Sequence, residues 1–506
     1  TRMPAPRGFL HEELAEKLND AVSASRGSSR GVSRVDSINQ YKASKWLIEA
    51  LYQGYCCLPR LPVGLPRGKS YYLQSAAYGL PFGYDVTDRV LRAAESLGFV
   101  NVKTGRYNPA GKGEVTRLYP SGHLLSSFQQ LGVVWQRLSP PNKNQGILIN
   151  EGIGREGRRL AKVTDHCEVA QMQKNLYTIN LFLSKQCIYM NLPNSAFSDP
   201  ADKYLRKNPQ LPTLQRGSEN SLPIINFQNV FLHRIFTQNS FKAGHQLEGG
   251  RFYHGWWQNI RREFRSRVLI NNYVTAECDY SGMAINCLYA RKGAAIGASD
   301  PYEIGIIYKG KNDPRRDLVK RYIVAILNDK TGKYSLTKGE LDTLEVTHKQ
   351  LSEMVRKRHS AISDCFNTGV GLQLQYDDSR VAERIMLRFA GMGEVCLPIH
   401  DSFIVRRKLL HKLEEIMKEE YERLFGKSIS LKYELPYDGL GIGEPDKDLL
   451  SPNSRLPAAD FHKGFKEHLD KYSIMMKFHD SWKKQTLSPA ELARQQPAWE
   501  RVAPLE

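Results

Sequence analysis

The chain has 506 residues, 41% of them hydrophobic, which is too long for one core and apolar enough for most of it to fold, so about two to four domains are expected. Lys and Arg number 72 against 53 acids, a formal charge of +19, and such an excess points to a polyanionic partner whose counterions are released on binding. No run of eighteen apolar residues and no signal-peptide core in the first thirty residues are present, which argues against a membrane protein.

Residues 1–42 combine a short amphipathic run, Leu10 to Leu18, with a Ser/Arg/Gly stretch, Ser23 to Ser33, and read as a mobile basic arm. Order is expected from about Ala43, where Trp46, Leu47, Ala50 and Leu51 recur at helical spacing. Residues 43–125 read as a small winged-helix-like module. Its helix carries Val86, Val90, Ala94 and Leu97 on one face, with Asp85 or Thr87 as the cap and Gly98 as the stop. Two strands, 99–102 and 114–119, then flank a Gly/Lys-rich tip, Gly105 to Gly113. Lys103, Arg106, Lys112 and Arg117 make this hairpin a candidate nucleic-acid contact, with the helix reading bases and the tip meeting phosphate. Modules of this kind also serve as protein contacts.

Residues 126–240 contain a strand at 146–149 and a helix from Val169 to Leu183, with Met172, Leu176, Ile179 and Phe182 on one face, then a loop-rich stretch around Pro200 to Ser221. A thumb-like region and a connector both fit. From 443 to 506 the chain is rich in Pro and charge, with one helix near Phe461 to Tyr472, and reads as an appendage. Eight scattered cysteines, at 56, 57, 167, 187, 278, 287, 365 and 396, form no Cys-x-x-Cys pair and read as reduced, mostly core thiols.

The segment between, 241–442, carries the chemistry. A β-branched strand, Val274 onward, ends in Asp279-Tyr280-Ser281-Gly282 and runs into a helix, Met283 to Ala290. Two apolar strands, Val395 to Ile399 and Phe403 to Val405, flank His400-Asp401-Ser402, a tight hairpin that displays Asp401. A covering helix follows, with Leu410, Leu413, Met417, Tyr421 and Leu424 on one face. Between the two acids, Asp313 caps and Pro314 starts a helix on which Arg316 and Lys320, four apart, share a face. Nucleotidyl transfer needs these parts: two fixed carboxylates for a pair of Mg²⁺ ions, and cations for a triphosphate.

These segments resemble, in order, three motifs of the DNA polymerase I-like (family A) superfamily and its relatives, the phage-type single-subunit RNA polymerases. Asp279-Tyr280-Ser281 looks like motif A, Arg316-x-x-x-Lys320 like motif B, and His400-Asp401-Ser402-Phe403 like motif C. Gly250-Arg251 followed by Gln258-Asn259-Ile260 is similar to the family's Gly-Arg…Gln-Asn-Ile segment, whose Arg contacts the primer–template. The resemblance implies an α+β right-hand polymerase, with palm, fingers and a thumb-like region behind the winged-helix-like domain. It implies Asp279 and Asp401 as catalytic metal ligands, with Tyr280 beside them, and two Mg²⁺ ions, or Mn²⁺, as cofactors. Arg316, Lys320, Ala284, Val324 and Asn328 would meet the nucleotide, and Arg251, Gln258 and His400 the nucleic acid. A DNA primer–template and nucleoside triphosphates would be the partners, and a cytoplasmic setting of bacterial or phage-like kind the location.

Departures from the family pattern bear on the product. The Glu that excludes a 2′-hydroxyl in the DNA enzymes is replaced by Ala284, the motif B aromatics by Val324 and Asn328, and the motif C Glu by Ser402. Before residue 240 no Asp is followed two places later by Glu, so the proofreading metal pair is not expected. A DNA-templated polymerase making DNA is the leading expectation. RNA or mixed, primer-like product is the second, and a replication initiator with an inactive palm the third.

Overall fold

The structure, a computed structural model, describes residues 12–25, 34–57, 62–65, 67, 72, 82–105, 115–131, 146–151, 159–160, 167–190, 229–237, 247–260, 262–271, 273–297, 300–310 and 313–434. Among them helices and sheets mix in the manner of an α+β chain, gathered around two hydrophobic cores.

The first core begins earlier than the sequence suggests. Ala15, Leu18 and Val22 recur every three or four residues, and all three are fully buried on helix α1 (Glu12–Ala24). Helix α2 (Arg34–Cys57) packs beside it, and Gln40 Nε2 on α2 donates to Ser23 Oγ at 2.9 Å and to Asn19 O at 3.2 Å. The expected arm over 1–42 is therefore corrected: 12–24 and 34–42 are helix, because the stripe that reads as a short amphipathic run has a partner to bury it. Most of the Ser/Arg/Gly stretch, 26–33, lies outside the described residues.

Strand β1 (Val63–Leu65) leads to helix α3 (Tyr84–Ser96). Neither Asp85 nor Thr87 caps α3: Gly83 is the cap residue, and Thr87 Oγ1 instead donates back to Gly83 O at 3.0 Å. Gly98 ends the helix as expected, with φ +65°. Strands β2 (Val100–Lys103) and β3 (Thr116–Pro120) pair antiparallel, and β1, unforeseen, adds to β3 to give the order β1-β3-β2. The hairpin tip, with Arg106 and Lys112, lies outside the described residues. Helix α4 (Gly122–Leu131) buries Leu124 and Phe128 in this same core, so an end at 125 would cut through a packed helix.

The second core unites what the sequence divides. Strands β4 (Ile147–Glu151) and β5 (Arg159–Leu160) precede helix α5 (Cys167–Leu183) and strand β6 (Ile188–Met190). Strands β7 (His233–Thr237) and β8 (Gly249–Tyr253) complete a four-stranded sheet of order β5-β4-β7-β8. Buried Asn180 on α5 locks on to this region by exchanging two hydrogen bonds with the main chain of Leu232, at 2.8 and 2.9 Å. The expected boundary at 240 thus runs through one sheet and one core, and the elements read as a connector or thumb-like region are woven into it.

The larger sheet has the order β11-β12-β10-β9-β6. It is built from β9 (Val268–Ile270), β10 (Tyr273–Tyr280), β11 (Cys396–Ile399) and β12 (Ser402–Arg406), with β6 at the far edge. Helices α6 (Met283–Arg291), α7 (Pro314–Asn328), α8 (Lys338–Leu344), α9 (His348–Arg358) and α10 (Gly371–Gly391) intervene between β10 and β11. Helix α11 (Leu410–Phe425) covers one sheet face, burying Leu413, Ile416, Met417 and Tyr421, and β13 (Leu431–Glu434) pairs with β10. No helix among the described residues is long and apolar enough to cross a membrane. The helix expected near Phe461 lies outside them.

Candidate active site

Alternation along β10 sorts its side chains on to two faces. Ala276, Cys278 and Tyr280 are buried, and Tyr280 Oη donates to Met417 O on α11 at 2.6 Å, so that face meets the covering helix. Thr275, Glu277 and Asp279 therefore share the opposite face. Gly282, at φ +64°, turns the chain from β10 into α6, a conformation that leaves a residue with a side chain strained.

The β11–β12 hairpin closes with two residues, His400 and Asp401, between paired Ile399 and Ser402. His400 holds φ +60°, and Tyr280 N donates to Asp401 O at 3.3 Å, fastening the turn to the end of β10. Asp279 stands directly across from Ser402, the residue after Asp401, so both carboxylates sit at one end of adjacent strands. The Asp401 charge bears on Asp279: burial first, and then that charge, push the Asp279 carboxyl up to about 7. Ser402 Oγ donates to Glu277 Oε1 at 2.5 Å, and Arg265 Nη1 pairs with the same oxygen at 3.2 Å, while Glu277 Oε2 is buried without a hydrogen-bond partner.

Cations face the acids. Asp313 caps α7, accepting from Arg315 N at 2.9 Å, and Arg316 and Lys320 lie a turn apart on that helix. Arg316 is committed to Asp300 by two hydrogen bonds, of 2.5 and 3.0 Å, and its guanidinium lies 4.9 Å from the centre of the Tyr302 ring. Lys320 Nζ is 5.9 Å from the same ring, and its charge opposes the upward push on Asp279. From the other side Lys432, on β13, is the cross-strand partner of Asp279.

No protein-family model matches the chain, and no curated protein sequence matches it. A solved structure similar to it is the POL domain of Pol1 from M. smegmatis, in complex with DNA primer-template and dNTP. The two share 11% identity over 83% of this chain and 68% of that chain, with a TM-score of 0.28.

Other expected site residues divide into those at the acids and those away from them. Arg251 lies beside Asp378 of α10, where Arg251 Nε donates at 2.8 Å, and Asp401 acts on its charge. It is presented by Gly250, at φ +80°, whose carbonyl accepts from the fully buried Arg234 at 2.8 Å; a Cβ there would meet the Phe236 ring at 2.6 Å. Gln258 is spent inside the protein. Its Nε2 donates to Phe252 O and Pro398 O, and Oε1 accepts from Gly255 N, so it braces the Asp401 hairpin. Trp257 Nε1 reaches the same Pro398 carbonyl, at 3.1 Å. His400 stands edge-on to Tyr253, and burial and then Arg251 hold its imidazole below the usual range, while its Nδ1 is buried and unpartnered.

The Tyr280 phenol donates to Met417 O on α11, on the sheet face opposite Asp279. Ala284 is half-buried on α6, and Val324 is exposed on α7. Asn328 donates to Val324 O at 2.8 Å and packs against Gly371, so it is held by its own helix and by α10. Lys103 belongs to β2, in the first core.

Four residues at the site carry no motif. Asp378, nearly fully buried, has a carboxyl pushed up to about 7 by burial, against the pull of Arg251. The Asp377-Asp378 pair among Leu374, Val381 and Ile385 was its one legible sign, since adjacent acids are rare in a helix core. Asp300, Tyr302 and Lys432 had none.

The donor set suits a hard divalent cation. The Asp401 charge raises the Asp279 carboxyl while the Lys320 and Lys432 ammonium groups lower it, and carboxylate oxygen is what Mg²⁺ prefers. Among the described residues no three His, Cys, Asp or Glu side chains form a ready-made metal cage.

Proposed function

We propose that the chain is a template-directed nucleic-acid polymerase that extends a primer 5′ to 3′ on DNA, related to the family A and phage-type enzymes. The observation that carries this reading is the Asp279–Asp401 pair at one end of adjacent strands, faced by Lys320 and Lys432. The larger sheet would be the palm and α7 the fingers helix.

Asp279 and Asp401 would hold Mg²⁺, or Mn²⁺ in its place, and that metal would supply Lewis-acid stabilisation to the attacking and leaving oxygens. Attack of the primer 3′-oxygen on the α-phosphorus forms one P–O bond and breaks the bond to the β-phosphate, so pyrophosphate departs with the electron pair. Lys320 is suited to meet the charge that grows on that leaving group, and Arg251 to steer the primer–template backbone past the turn that carries Asp401.

A DNA product is favoured by the motifs, and RNA or mixed product by the departures from them, Ala284 first. Ala284 offers only a methyl group where the DNA enzymes place a Glu, and a pocket that merely lacks bulk rejects an added hydroxyl by about a hundredfold or less. Extension of a labelled primer–template with dNTPs and NTPs in parallel tests both points. Expected are Mg²⁺-dependent extension, measurable NTP incorporation, and stronger suppression of NTP than of dNTP use by Ala284→Glu. Absence of extension with either set overturns the polymerase reading. A preference for dNTPs above about a thousandfold overturns only the open-pocket argument.

The first core, with α3 and the sheet β1-β3-β2, supports the winged-helix-like reading as a DNA-holding module. Removal of residues 1–131, which spares the second core, is expected to lower duplex affinity and flatten its dependence on salt. Extension at low salt should persist. An unchanged salt slope would assign this module to protein contacts instead.

A further inference from the structure

Lys432 lies where the motifs give no reason to look. Directly opposed residues of an antiparallel pair have Cβ atoms about 4.5–5.5 Å apart, so Lys432 and Asp279 are immediate neighbours on the same sheet face. Arg316, on α7, lines the same space as Lys432. Two cations thus share one wall, and an anion between them would relieve their repulsion. They are not equivalent, because Arg316 already has Asp300. Lys432 makes no hydrogen bond or ion pair with any described residue, and its ammonium is available.

A cavity of about 650 Å³ opens at this point. Arg316, Lys427 and Lys432 line it with the hydroxyl-bearing Ser281, Ser428 and Ser430, and its one acid among the described lining residues is Asp300, the partner of Arg316. Its size falls within the range of small-molecule sites, about 300–1,000 Å³. Its excess positive charge and its hydroxyl donors suit a multiply charged phosphate anion.

We infer that Lys432 and the cavity it lines receive the β- and γ-phosphates of the incoming nucleotide and then the released pyrophosphate. This rests on the polymerase reading for its reaction, but the site is an anion site in its own right. Lys432 connects the two places. It stands across the sheet from the carboxylate at which the phosphorus reacts, and it also belongs to the wall of the space beyond. Lys320 and Lys432 would close on the leaving group from the helix side and the sheet side.

The test is binding of inorganic pyrophosphate to the full chain without DNA, beside single-nucleotide incorporation and product inhibition by pyrophosphate. Lys432→Met keeps the aliphatic stem and removes the ammonium. It should weaken pyrophosphate binding and raise the nucleotide KM by about tenfold, the loss of one charge-assisted hydrogen bond, and relieve product inhibition by the same factor. Lys432→Arg should recover most of both, and primer–template affinity should not move. Lys427→Glu, at an exposed position on the same wall, gives a second arm that leaves the sheet untouched and should also weaken pyrophosphate binding. Unchanged pyrophosphate affinity in Lys427→Glu and Lys432→Met proteins that still extend primers overturns the site. Pyrophosphate binding that depends on Lys432, in a wild type that extends no primer, overturns the polymerase reading and keeps the site.

Discussion

Asp279→Asn and Asp401→Asn are each expected to reduce primer extension by about a thousandfold or more while changing primer–template affinity by less than about twofold. Either change removes a metal-holding oxygen, and metal stabilisation of the transition state is worth several kcal/mol, about 4 for a thousandfold. Neither removes a contact suited to nucleic-acid phosphate. Asp279→Asn carries a second signature that does not depend on activity. In the folded chain the Asp279 carboxyl is pushed up to about 7 by burial and by Asp401, well above the ordinary aspartate value. The folded state therefore holds this proton more tightly than the unfolded state. The stability from that proton is full below about pH 4 and is lost as pH rises towards 7, where the penalty levels off. Above pH 7 the metal-free wild type carries the whole repulsion. Asp279→Asn should then raise its unfolding free energy by about 1–2 kcal/mol, after allowing for solvent screening of a half-buried group. Added Mg²⁺ should stabilise the wild type at pH 8 and do much less for the variant. Thermal unfolding at pH 5 and pH 8, with and without Mg²⁺, measures this. A variant that extends primers well, or that is no more stable than wild type at pH 8, would remove Asp279 from the proposed site.

Lys320→Ala is expected to lower kcat/KM for the nucleotide by about a hundredfold to a thousandfold, with part of the loss in kcat, because the ammonium meets charge that develops on the leaving phosphate. Lys320 is a cleaner probe than Arg316. Arg316→Ala would orphan the half-buried Asp300 and open the stack on Tyr302, so a poor enzyme would say little about phosphate. Lys320 makes no ion pair among the described residues, so its removal orphans no carboxylate, and its contact with the Tyr302 ring is the longer one, at 5.9 Å. Lys320→Arg should restore part of the rate. Single-turnover incorporation across a range of nucleotide concentrations separates binding from chemistry. Unchanged constants for Lys320→Ala would mean that α7 turns this face away from the substrate.

Much of the site was legible because it is written in local chemistry. A strand that ends in Asp-Tyr-Ser-Gly, a two-residue turn with Asp401 at its tip, and a helix opened by Asp313-Pro314 each need only neighbouring residues, and the structure has all three. The burial of Leu413, Met417 and Tyr421 on α11 follows from spacing alone. Where the reading went astray, local signal met a distant partner. Asp85 and Thr87 look like caps, but the helix starts at Tyr84, with Gly83 as its cap. The run around Leu18 is short enough to pass for an arm until α2 covers it.

By itself, then, the sequence determined the two carboxylates, the cationic helix and the sheet-and-helix frame that displays them, since each is set by spacing within a few residues. Only the tertiary structure decided which charges share the site. Asp378 reaches Arg251 across 127 positions, Asp300 takes Arg316 from a loop between elements, and Lys432 meets Asp279 through one strand register. The division at 240 dissolved for the same reason: β4 pairs with β7, β7 with β8, and β6 joins the larger sheet through β9. Strand pairing and ion pairing depend on where distant segments land, and a one-residue slip of β13 would turn Lys432 to the opposite face.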